Sequence, residues 1–163
     1  MAHNAKAFDV KKANQRFIFH SLQPPSPYKV YDTLLAARKV AKFDSNRLDS
    51  LARTLGVGAK LPTIGIDLWL ACMDGPGPQW DAMGRYNAMD VRVLRRVYER
   101  LKMWDTGHPR LTHFTRAEAC PTCQSPNIQS RGFAYSSTGK RQRIVCTDCG
   151  AWSTTGPLIK EAA

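Results

Sequence analysis

The chain has 163 residues, 24 lysines and arginines against 13 aspartates and glutamates, a net charge of +11, and 43% hydrophobic residues. This length predicts one ordinary domain, or one small domain with an appendage, rather than a long multidomain enzyme. Charged residues and prolines interrupt every apolar run before the ~18 residues that a membrane helix needs, and no secretory signal follows Met1. We therefore expect a soluble, cytoplasmic protein that binds no membrane. The basic charge favours a polyanionic partner, with nucleic acid the leading candidate.

Helical periodicity dominates residues 1–104. Apolar residues spaced i, i+3, i+4, i+7 predict several helices in this region. The predicted helices include residues 10–17, 48–55 and 94–101. Ser45 or Asn46 is a suitable N-cap for the second of them, and Gly56 is a suitable stop. The pattern predicts one short strand here, at residues 28–31.

Helices with one apolar stripe must bury that stripe against another layer. The large side chains of this region predict a small helical core. Its aromatic candidates are Phe17, Phe19, Phe43, Trp69 and Trp80. Cys72 lies in an apolar run and is predicted to join this core. Because the region has almost no strands against which its helices could pack, its pattern is typical of one half of an α/β domain.

Two short segments carry candidate catalytic side chains. The first is His3-Asn-Ala-Lys-Ala-Phe-Asp9, and the second is Tyr86-Asn-Ala-Met-Asp90. Tyr86 and Asp90 are four positions apart, so a helix presents the phenol and the carboxylate on one face. An aspartate can hold a cation while a tyrosine hydroxyl orients a water toward a phosphorus atom. Taken alone, the same spacing also fits an ordinary surface helix.

The order of these segments, with Val30-Tyr-Asp32-Thr33 between them, resembles the 3′–5′ exonucleases of ribonuclease-H-like fold. The resemblance is to the DEDD type that has a tyrosine in its third motif. The proofreading domains of family A DNA polymerases look similar in outline. Residues 26–34, 42–49 and 67–69 match the variety common in phage and bacterial genomes. The resemblance therefore implies the cytoplasm of a bacterial host if the gene is encoded by a phage. It runs from His3 to about Trp104.

This resemblance implies roles for individual residues. Asp9 answers to the carboxylate of the second motif, and Tyr86 and Asp90 answer to the third motif. Asp9 and Asp90 would then be ligands of catalytic Mg²⁺ or Mn²⁺. His3 and Asn4 lie in the approach to the second motif and are candidates for substrate contact. The implied activity is two-metal hydrolysis of a phosphodiester at a 3′ end, with DNA favoured over RNA.

The first motif of that family, a D-x-E on the first strand, has no counterpart in this sequence. Two aspartates hold Mg²⁺ poorly, because this ion requires octahedral oxygen coordination. Three interpretations stay open: a split exonuclease whose companion chain supplies the sheet and the D-x-E, a remnant that only binds, or a start codon assigned too late. With a companion, the apolar faces around residues 10–17 and 94–101 are the expected docking surface.

Helical periodicity stops near Trp104, where a segment with glycine and proline follows. We place one domain boundary near Trp104 and a second one just before the first pair of cysteines. The assigned segments are an exonuclease-like domain at 1–104, a linker at 105–116, a zinc ribbon at 117–156 and a tail at 157–163. Together they predict an α/β protein: the C-terminal part of a ribonuclease-H-like exonuclease fold, mostly helical with little sheet of its own, followed by a small β zinc ribbon.

Four cysteines provide the most specific signal in the sequence. Cys120 and Cys123 form one C-x-x-C knuckle, and Cys146 and Cys149 form a second one after 22 intervening residues. This spacing lets four thiolates surround one tetrahedral Zn²⁺ at about 2.3 Å each. Four thiolates leave no open coordination position, so the predicted zinc is structural.

The segments at 131–135 and 141–145 flank a glycine-containing turn and predict a β-hairpin between the knuckles. Basic and aromatic residues alternate along it. The candidate nucleic-acid-binding side chains are Arg131, Phe133, Tyr135, Lys140, Arg141 and Arg143. Cations for phosphates beside aromatics for bases suit single strands or duplex ends. We expect Phe133 or Trp152 inside the ribbon and the arginines outside.

Residues 139–146 resemble zinc ribbons attached to transposases and to phage nucleic-acid enzymes. The predicted function is therefore nucleic-acid processing of the 3′–5′ exonuclease kind, incomplete until a partner or a further segment supplies the D-x-E motif. The alternative is a non-catalytic nucleic-acid-binding zinc-ribbon protein derived from such a nuclease.

Overall fold

The computed structural model describes residues 1–59, 65–113 and 118–160. The elements in chain order are α1 (Asp9–Phe19), α2 (Thr33–Val40), α3 (Leu48–Thr54), α4 (Ile66–Met73), α5 (Gln79–Leu101), a 3-10 turn (Leu111–His113), β1 (Ile128–Ser136), β2 (Gly139–Cys146) and β3 (Trp152–Ile159). They belong to two compact units, Met1–Leu101 and Lys102–Ala163. The described α-helices all lie in the first unit and the described strands in the second. No described helix has both the length and the apolar composition to cross a membrane.

The three predicted helices are confirmed as α1, α3 and α5. The predicted stop of α3 is also confirmed, because Gly56 has a φ of +64° and lies just beyond the helix. The amides of Gly56 and Val57 donate to carbonyls of the last turn at 3.0 and 2.9 Å, which satisfies those carbonyls. The predicted N-cap is wrong by a residue or two. Arg47 occupies the cap position without a side-chain cap bond, and Ser45 Oγ instead accepts from the Arg47 amide at 3.3 Å.

The predicted strand at residues 28–31 is not formed, and its backbone is irregular. Ala2 and Asp32 make an isolated parallel bridge at its end. The Ala2 amide donates to the Tyr31 carbonyl at 3.1 Å, and the Thr33 amide donates to the Ala2 carbonyl at 2.9 Å. A strand needs a neighbouring ladder for its backbone groups. The described part of the first unit offers no such ladder.

The core of the first unit lies where α5 packs against α2 and α3. Its fully buried large side chains are Leu51, Val93, Val97 and Leu101. Three of these follow the i, i+4, i+8 spacing on one face of α5. This corrects the expectation that residues 94–101 form part of a docking surface, since that apolar stripe is already buried inside the unit.

The large aromatic side chains do not form this core. Phe19, Trp69 and Trp80 are 74%, 55% and 52% exposed, and Phe43 packs only against the edge of the core. Helix α1 buries none of its residues, and α4 buries only Cys72, as predicted for that cysteine. These two helices therefore keep an exposed apolar surface. It includes Ile18, Phe19, Ile66, Trp69, Leu70 and Met73.

The second unit contains one antiparallel sheet in the order β1-β2-β3. The predicted hairpin is confirmed, because Ser136 pairs with Gly139 around a two-residue turn. One strand of it is irregular, since β1 carries a bulge between Ser130 and Phe133. The third strand was not predicted. It extends to Ile159 and so includes residues that the sequence assigned to the tail.

The segment that follows α5 belongs to the second unit. Met103 packs against the cysteine cluster. The Leu111 amide donates to the Pro121 carbonyl at 2.8 Å, and the Arg110 guanidinium donates to the Thr154 carbonyl. These two contacts attach the segment after α5 to the first knuckle and to β3, respectively. Much of what the sequence assigned to a linker therefore forms a wall of this unit.

Candidate metal centre and nucleic-acid interface

The four cysteines converge on one point, as predicted. Every Sγ lies within 4.8 Å of the other three. The Sγ atoms of Cys120 and Cys149 are 3.7 Å apart, and so are those of Cys123 and Cys146. Bonds of about 2.3 Å to a tetrahedral Zn²⁺ imply sulfur-sulfur distances of about 3.75 Å. A disulfide requires about 2.05 Å. The donor set and its spacing therefore fit a structural zinc ion and do not fit two disulfides.

The two knuckles have the same backbone conformation. In each, the amide of the first cysteine donates to the carbonyl five residues on, and its carbonyl accepts from the amide four residues on. These distances are both 2.8 Å at Cys120, and 3.0 and 2.9 Å at Cys146. The residue after the second cysteine has positive φ in both, +66° at Gln124 and +73° at Gly150. Backbone bonds thus orient the cysteines toward a shared ligand position.

Burial raises the pKa of the Cys123 and Cys149 thiols. The neighbouring sulfurs add to this rise at Cys149, whereas at Cys123 the contact with the Cys149 sulfur acts against it. At Cys146 burial acts in the same direction, but hydrogen bonds from the backbone of Cys149 and Asp148 outweigh it and lower the pKa. Zinc binds thiolates, so metal binding here releases protons and strengthens as the pH rises.

A polar clasp joins the two knuckles outside the sulfur cluster. Ser125 Oγ donates to Asp148, and Asn127 Nδ2 donates to both carboxylate oxygens of Asp148 at 3.1 and 3.2 Å. These bonds lower the pKa of Asp148, with Ser125 the larger cause. This clasp was not predicted from the sequence. Its signal is the polar residue two positions after Cys123 and the aspartate between the cysteines of the second knuckle.

The predicted nucleic-acid-binding side chains of the hairpin divide between the two faces of the sheet. Tyr135 is paired with Lys140, and Lys140 Nζ lies 5.2 Å from the centre of the Phe133 ring, so these three share one face. Arg141 and Arg143 occupy the alternate positions of β2 and therefore point to the opposite face. The two arginines of β2 therefore lie on the opposite face of the sheet from Phe133, Tyr135 and Lys140.

We call the side of the sheet with Arg141 and Arg143 the arginine face. Both arginines are exposed, as expected. Arg143 pairs with Thr154 of β3, and Trp152 precedes Thr154 by two positions, so it lies on the same face. Trp152 is 54% exposed, while Phe133 is half-buried. Trp152 was not predicted to be a binding residue. Arg131, near the bulge of β1, donates to Gln129 Oε1 at 2.9 Å.

In the first unit, Tyr86 and Asp90 lie one turn apart on α5, as their spacing predicted. Both are half-buried, and Asp90 Oδ1 is shielded from solvent. Asp9 is the exposed first residue of α1, where its charge also favours the helix N-terminus. Across residues 1–59, 65–113 and 118–160, the cysteines are the one group of three or more potential metal ligands. Asp9 and Asp90 therefore do not form a full ligand set for Mg²⁺ there.

His3 has contacts on both ring nitrogens. Nδ1 lies 2.9 Å from Thr33 Oγ1, and Nε2 lies 3.0 Å from the carbonyl oxygen of Asn46. These contacts hold the N-terminal segment against α2 and the loop before α3. Asn4 follows with a φ of +67° and an exposed side chain. Substrate contact by His3 and Asn4 stays a prediction.

Asp32 organises this segment, although no role was predicted for it from the sequence. The residue is 5% exposed, and its carboxylate accepts from the amides of Asn4 at 2.9 Å, Lys6 at 3.0 Å and Leu34 at 3.1 Å. The last of these bonds caps the N-terminus of α2. The signal in the sequence is an aspartate directly before Thr33 at a helix start. Asp32 is thus a structural carboxylate in this unit.

The comparison with known families addresses this first unit. A family model of the RNase H superfamily matches residues 1–102. The chain belongs to the RNase H superfamily. No curated protein and no solved structure matches the chain. The match covers the RNase H-like unit with Asp9, Tyr86 and Asp90, and it indicates nuclease-like processing of nucleic acid. The match ends at Lys102, the first residue of the second unit, Lys102–Ala163, which we call the zinc unit after the metal that its four cysteines fit.

Proposed function

We propose that this chain contributes Asp9, Tyr86 and Asp90 to a 3′–5′ exonuclease centre of the DEDD type with a tyrosine in its third motif. The observation that carries the proposal is the pair Tyr86 and Asp90, one turn apart on α5 of an RNase H-like unit. A carboxylate there can bind a hard cation, and a phenol beside it can orient a water. The proposed substrate is the 3′ end of a nucleic acid strand, with DNA ahead of RNA.

The centre needs carboxylates that this sequence does not contain. It has no D-x-E, and two aspartates do not complete an octahedral site. We assign the missing ligands to a further polypeptide segment that carries D-x-E on an apolar strand. Such a strand is the natural cover for the exposed apolar side chains of α1 and α4, because sheets and helices bury their apolar faces against each other.

The zinc unit has the role of holding the strand. Zn²⁺ bound by the four cysteines would fix the hairpin and would take no part in hydrolysis, because all four positions are filled by sulfur. The exposed arginines on the sheet supply cations for phosphate groups. The net charge of +11 favours the same polyanionic ligand.

A second candidate function is nucleic-acid binding without catalysis. Its support is that the cysteine cluster is the one group of three or more metal-ligating side chains within the described residues. A protein of this kind would retain the binding role of the zinc unit and have no nuclease partner.

The test co-expresses the chain with the D-x-E segment sought in the neighbouring reading frames. Single-stranded DNA labelled at its 5′ end is then incubated with the pair and Mn²⁺. We expect shortening from the 3′ end, reduced about 100-fold or more by Asp90→Ala or Tyr86→Phe with binding unchanged. Asp81→Ala is the matched control, since this exposed carboxylate lies in the first turn of the same helix. Binding without shortening under every combination favours the second candidate.

A further inference from the structure

The zinc unit contains a pocket that none of the predicted roles explains. It has a volume of about 330 Å³ and lies between the segment after α5, the first knuckle and the arginine face. Its walls include Arg110, Thr122, Arg143, Trp152 and Thr154. All of these residues belong to the second unit. The volume falls at the lower end of the range for small-ligand sites, about 300–1,000 Å³, and so suits a ligand of the size of a single nucleotide.

Two cations and one aromatic ring face this pocket. Arg110 is held by its bond to the Thr154 carbonyl, and that bond places its guanidinium beside β3. Arg143 is the cross-strand partner of Thr154. Within the described residues its side chain makes no hydrogen bond or ion pair, so its donors are available to a ligand. Trp152 is 54% exposed and supplies an indole surface on the same face.

The acidic side chain in the pocket wall is Asp105. It is 9% exposed, and its Oδ1 accepts from the Gly107 amide at 2.9 Å. This bond engages Asp105 in its own turn. With two arginines against one aspartate, the net charge of the lining is positive and favours an anion.

We propose that this pocket binds one unpaired nucleotide of a single-stranded nucleic acid, with the base stacked on Trp152 and a phosphate bound between Arg110 and Arg143. This inference rests on the proposed function and names the site through which the zinc unit holds its substrate. Stacking on an aromatic ring requires an unpaired base, which favours a single strand over a duplex. Arg141 lies two positions from Arg143, about 7 Å along β2, and extends the cationic track beyond the pocket. That extension favours a strand over a free mononucleotide.

The main test compares two tryptophan variants of the zinc-loaded full chain. Binding of a fluorescently labelled single-stranded oligothymidylate is followed by anisotropy. We expect Trp152→Ala to weaken binding about tenfold, because it removes the indole ring on which one base stacks. Trp104→Ala is the matched control. Trp104 is 72% exposed in the same unit and does not line the pocket, so its loss leaves affinity unchanged.

The phosphate contact has its own test. Arg110→Ala and Arg143→Ala are each expected to lower the slope of log affinity against log salt by about 1, the signature of a lost phosphate contact. Arg110→Lys retains the charge and is expected to keep the slope. Trp152→Ala is expected to weaken binding at every salt concentration without changing the slope.

Three further ligands distinguish the contribution of the base, of the strand and of the unpaired state to binding. An abasic strand is expected to bind the parent protein as weakly as the oligothymidylate binds Trp152→Ala. Thymidine monophosphate is expected to compete poorly, and duplex DNA is expected to show no dependence on Trp152. Strong competition by the mononucleotide would overturn the assignment to a strand.

Two failures have different meanings. If the parent binds the oligothymidylate and Trp152→Ala binds equally well, the pocket proposal is wrong while the proposed function stands. If the parent binds no single-stranded DNA or RNA, both are wrong. The zinc content of each variant is measured, and Trp152→Phe, which keeps a stacking ring, is the second variant. It must bind more tightly than Trp152→Ala when both hold zinc, or the stacking role is rejected.

Discussion

In the described part of the RNase H-like unit, α2, α3 and α5 bury a small set of aliphatic side chains, whereas the buried cluster of the zinc unit consists of two cysteines and one alanine beside a small sheet. The first unit has Leu51, Val97 and Leu101 at its centre and leaves apolar side chains exposed on α1 and α4. The second has Cys120, Cys146 and Ala151 at its centre. The first unit therefore depends on packing, and the second depends on its metal ligands.

The exposed surfaces that could bind a partner also differ between the two units. Exposed apolar side chains such as Ile18 and Trp69 on the first unit suit another protein layer. Exposed arginines on the sheet of the second suit a polyanion. Our proposal assigns the two units to different partners, and the following predictions test whether their stabilities are independent as well.

The largest effect is expected from zinc removal. Structural zinc contributes about 10–16 kcal/mol to folding in small zinc modules, so chelation is expected to unfold the hairpin and both knuckles. The helical circular dichroism of the first unit should persist. Cys146→Ser is expected to abolish stoichiometric zinc binding, while Cys72→Ala, which alters a buried cysteine outside the cluster, retains it. Simultaneous loss of helix and hairpin on chelation would show that the two units fold as one.

A core truncation is expected to act on the first unit alone. Leu101→Ala removes a side chain that is 2% exposed and should reduce the free energy of unfolding of the helices by about 2–5 kcal/mol. Leu70→Ala is the matched control, since Leu70 is 51% exposed, and its effect should stay below about 1 kcal/mol. Zinc stoichiometry should be unchanged in both. A loss of zinc from the Leu101→Ala variant would contradict the independent stability of the two units.

Asp32 distinguishes a structural carboxylate from a ligand. Asp32→Ala removes three bonds from backbone amides and should destabilise the first unit by about 2 kcal/mol, measured by denaturant unfolding. Asp74→Ala, at an exposed carboxylate after α4, is expected to be nearly neutral. Equal effects of the two substitutions would show that the Asp32 bonds contribute little to folding.

The smallest effect concerns the symmetry of the knuckles. Gln124 adopts a φ of +66° where the second knuckle has glycine. Gln124→Gly is therefore expected to stabilise the zinc unit by about 0.5–1 kcal/mol, and Gly150→Ala to destabilise it by about 1 kcal/mol. Competition with a chromophoric zinc chelator measures both. If Gln124→Gly destabilised the zinc unit and Gly150→Ala stabilised it, the left-handed conformation would not be retained at these positions.

In both units, features that depend on local sequence could be predicted, and features that depend on tertiary contacts could not. The C-x-x-C spacing constrains sulfur geometry directly, so the cluster and its hairpin could be predicted. The helices could be predicted because their periodicity is local. Residues 28–31 have the composition of a strand, but pairing depends on a neighbour that periodicity does not reveal. The separation of Tyr135 from Arg143 depends on register, and the pocket wall around Arg110 depends on contacts between residues over forty positions apart.

The candidate catalytic residues show most clearly what local sequence patterns cannot predict. Helical spacing was enough to place Tyr86 and Asp90 on one face of α5. It could not show that Asp32, in the same resemblance, is bound to backbone amides rather than available to a cation. Local patterns predict which side chains share an element, and only tertiary contacts determine which of them are already engaged.

The central claim is that the zinc unit binds the strand while the RNase H-like unit holds too few oxygen ligands to hydrolyse it unaided. The most direct measurement incubates the purified, zinc-loaded chain alone with single-stranded DNA labelled at its 5′ end and Mn²⁺, and follows binding and strand length together. The account predicts binding with no shortening of the strand. Shortening from the 3′ end that disappears in Asp90→Ala or Tyr86→Phe would contradict it, because the active centre would then be complete in this chain.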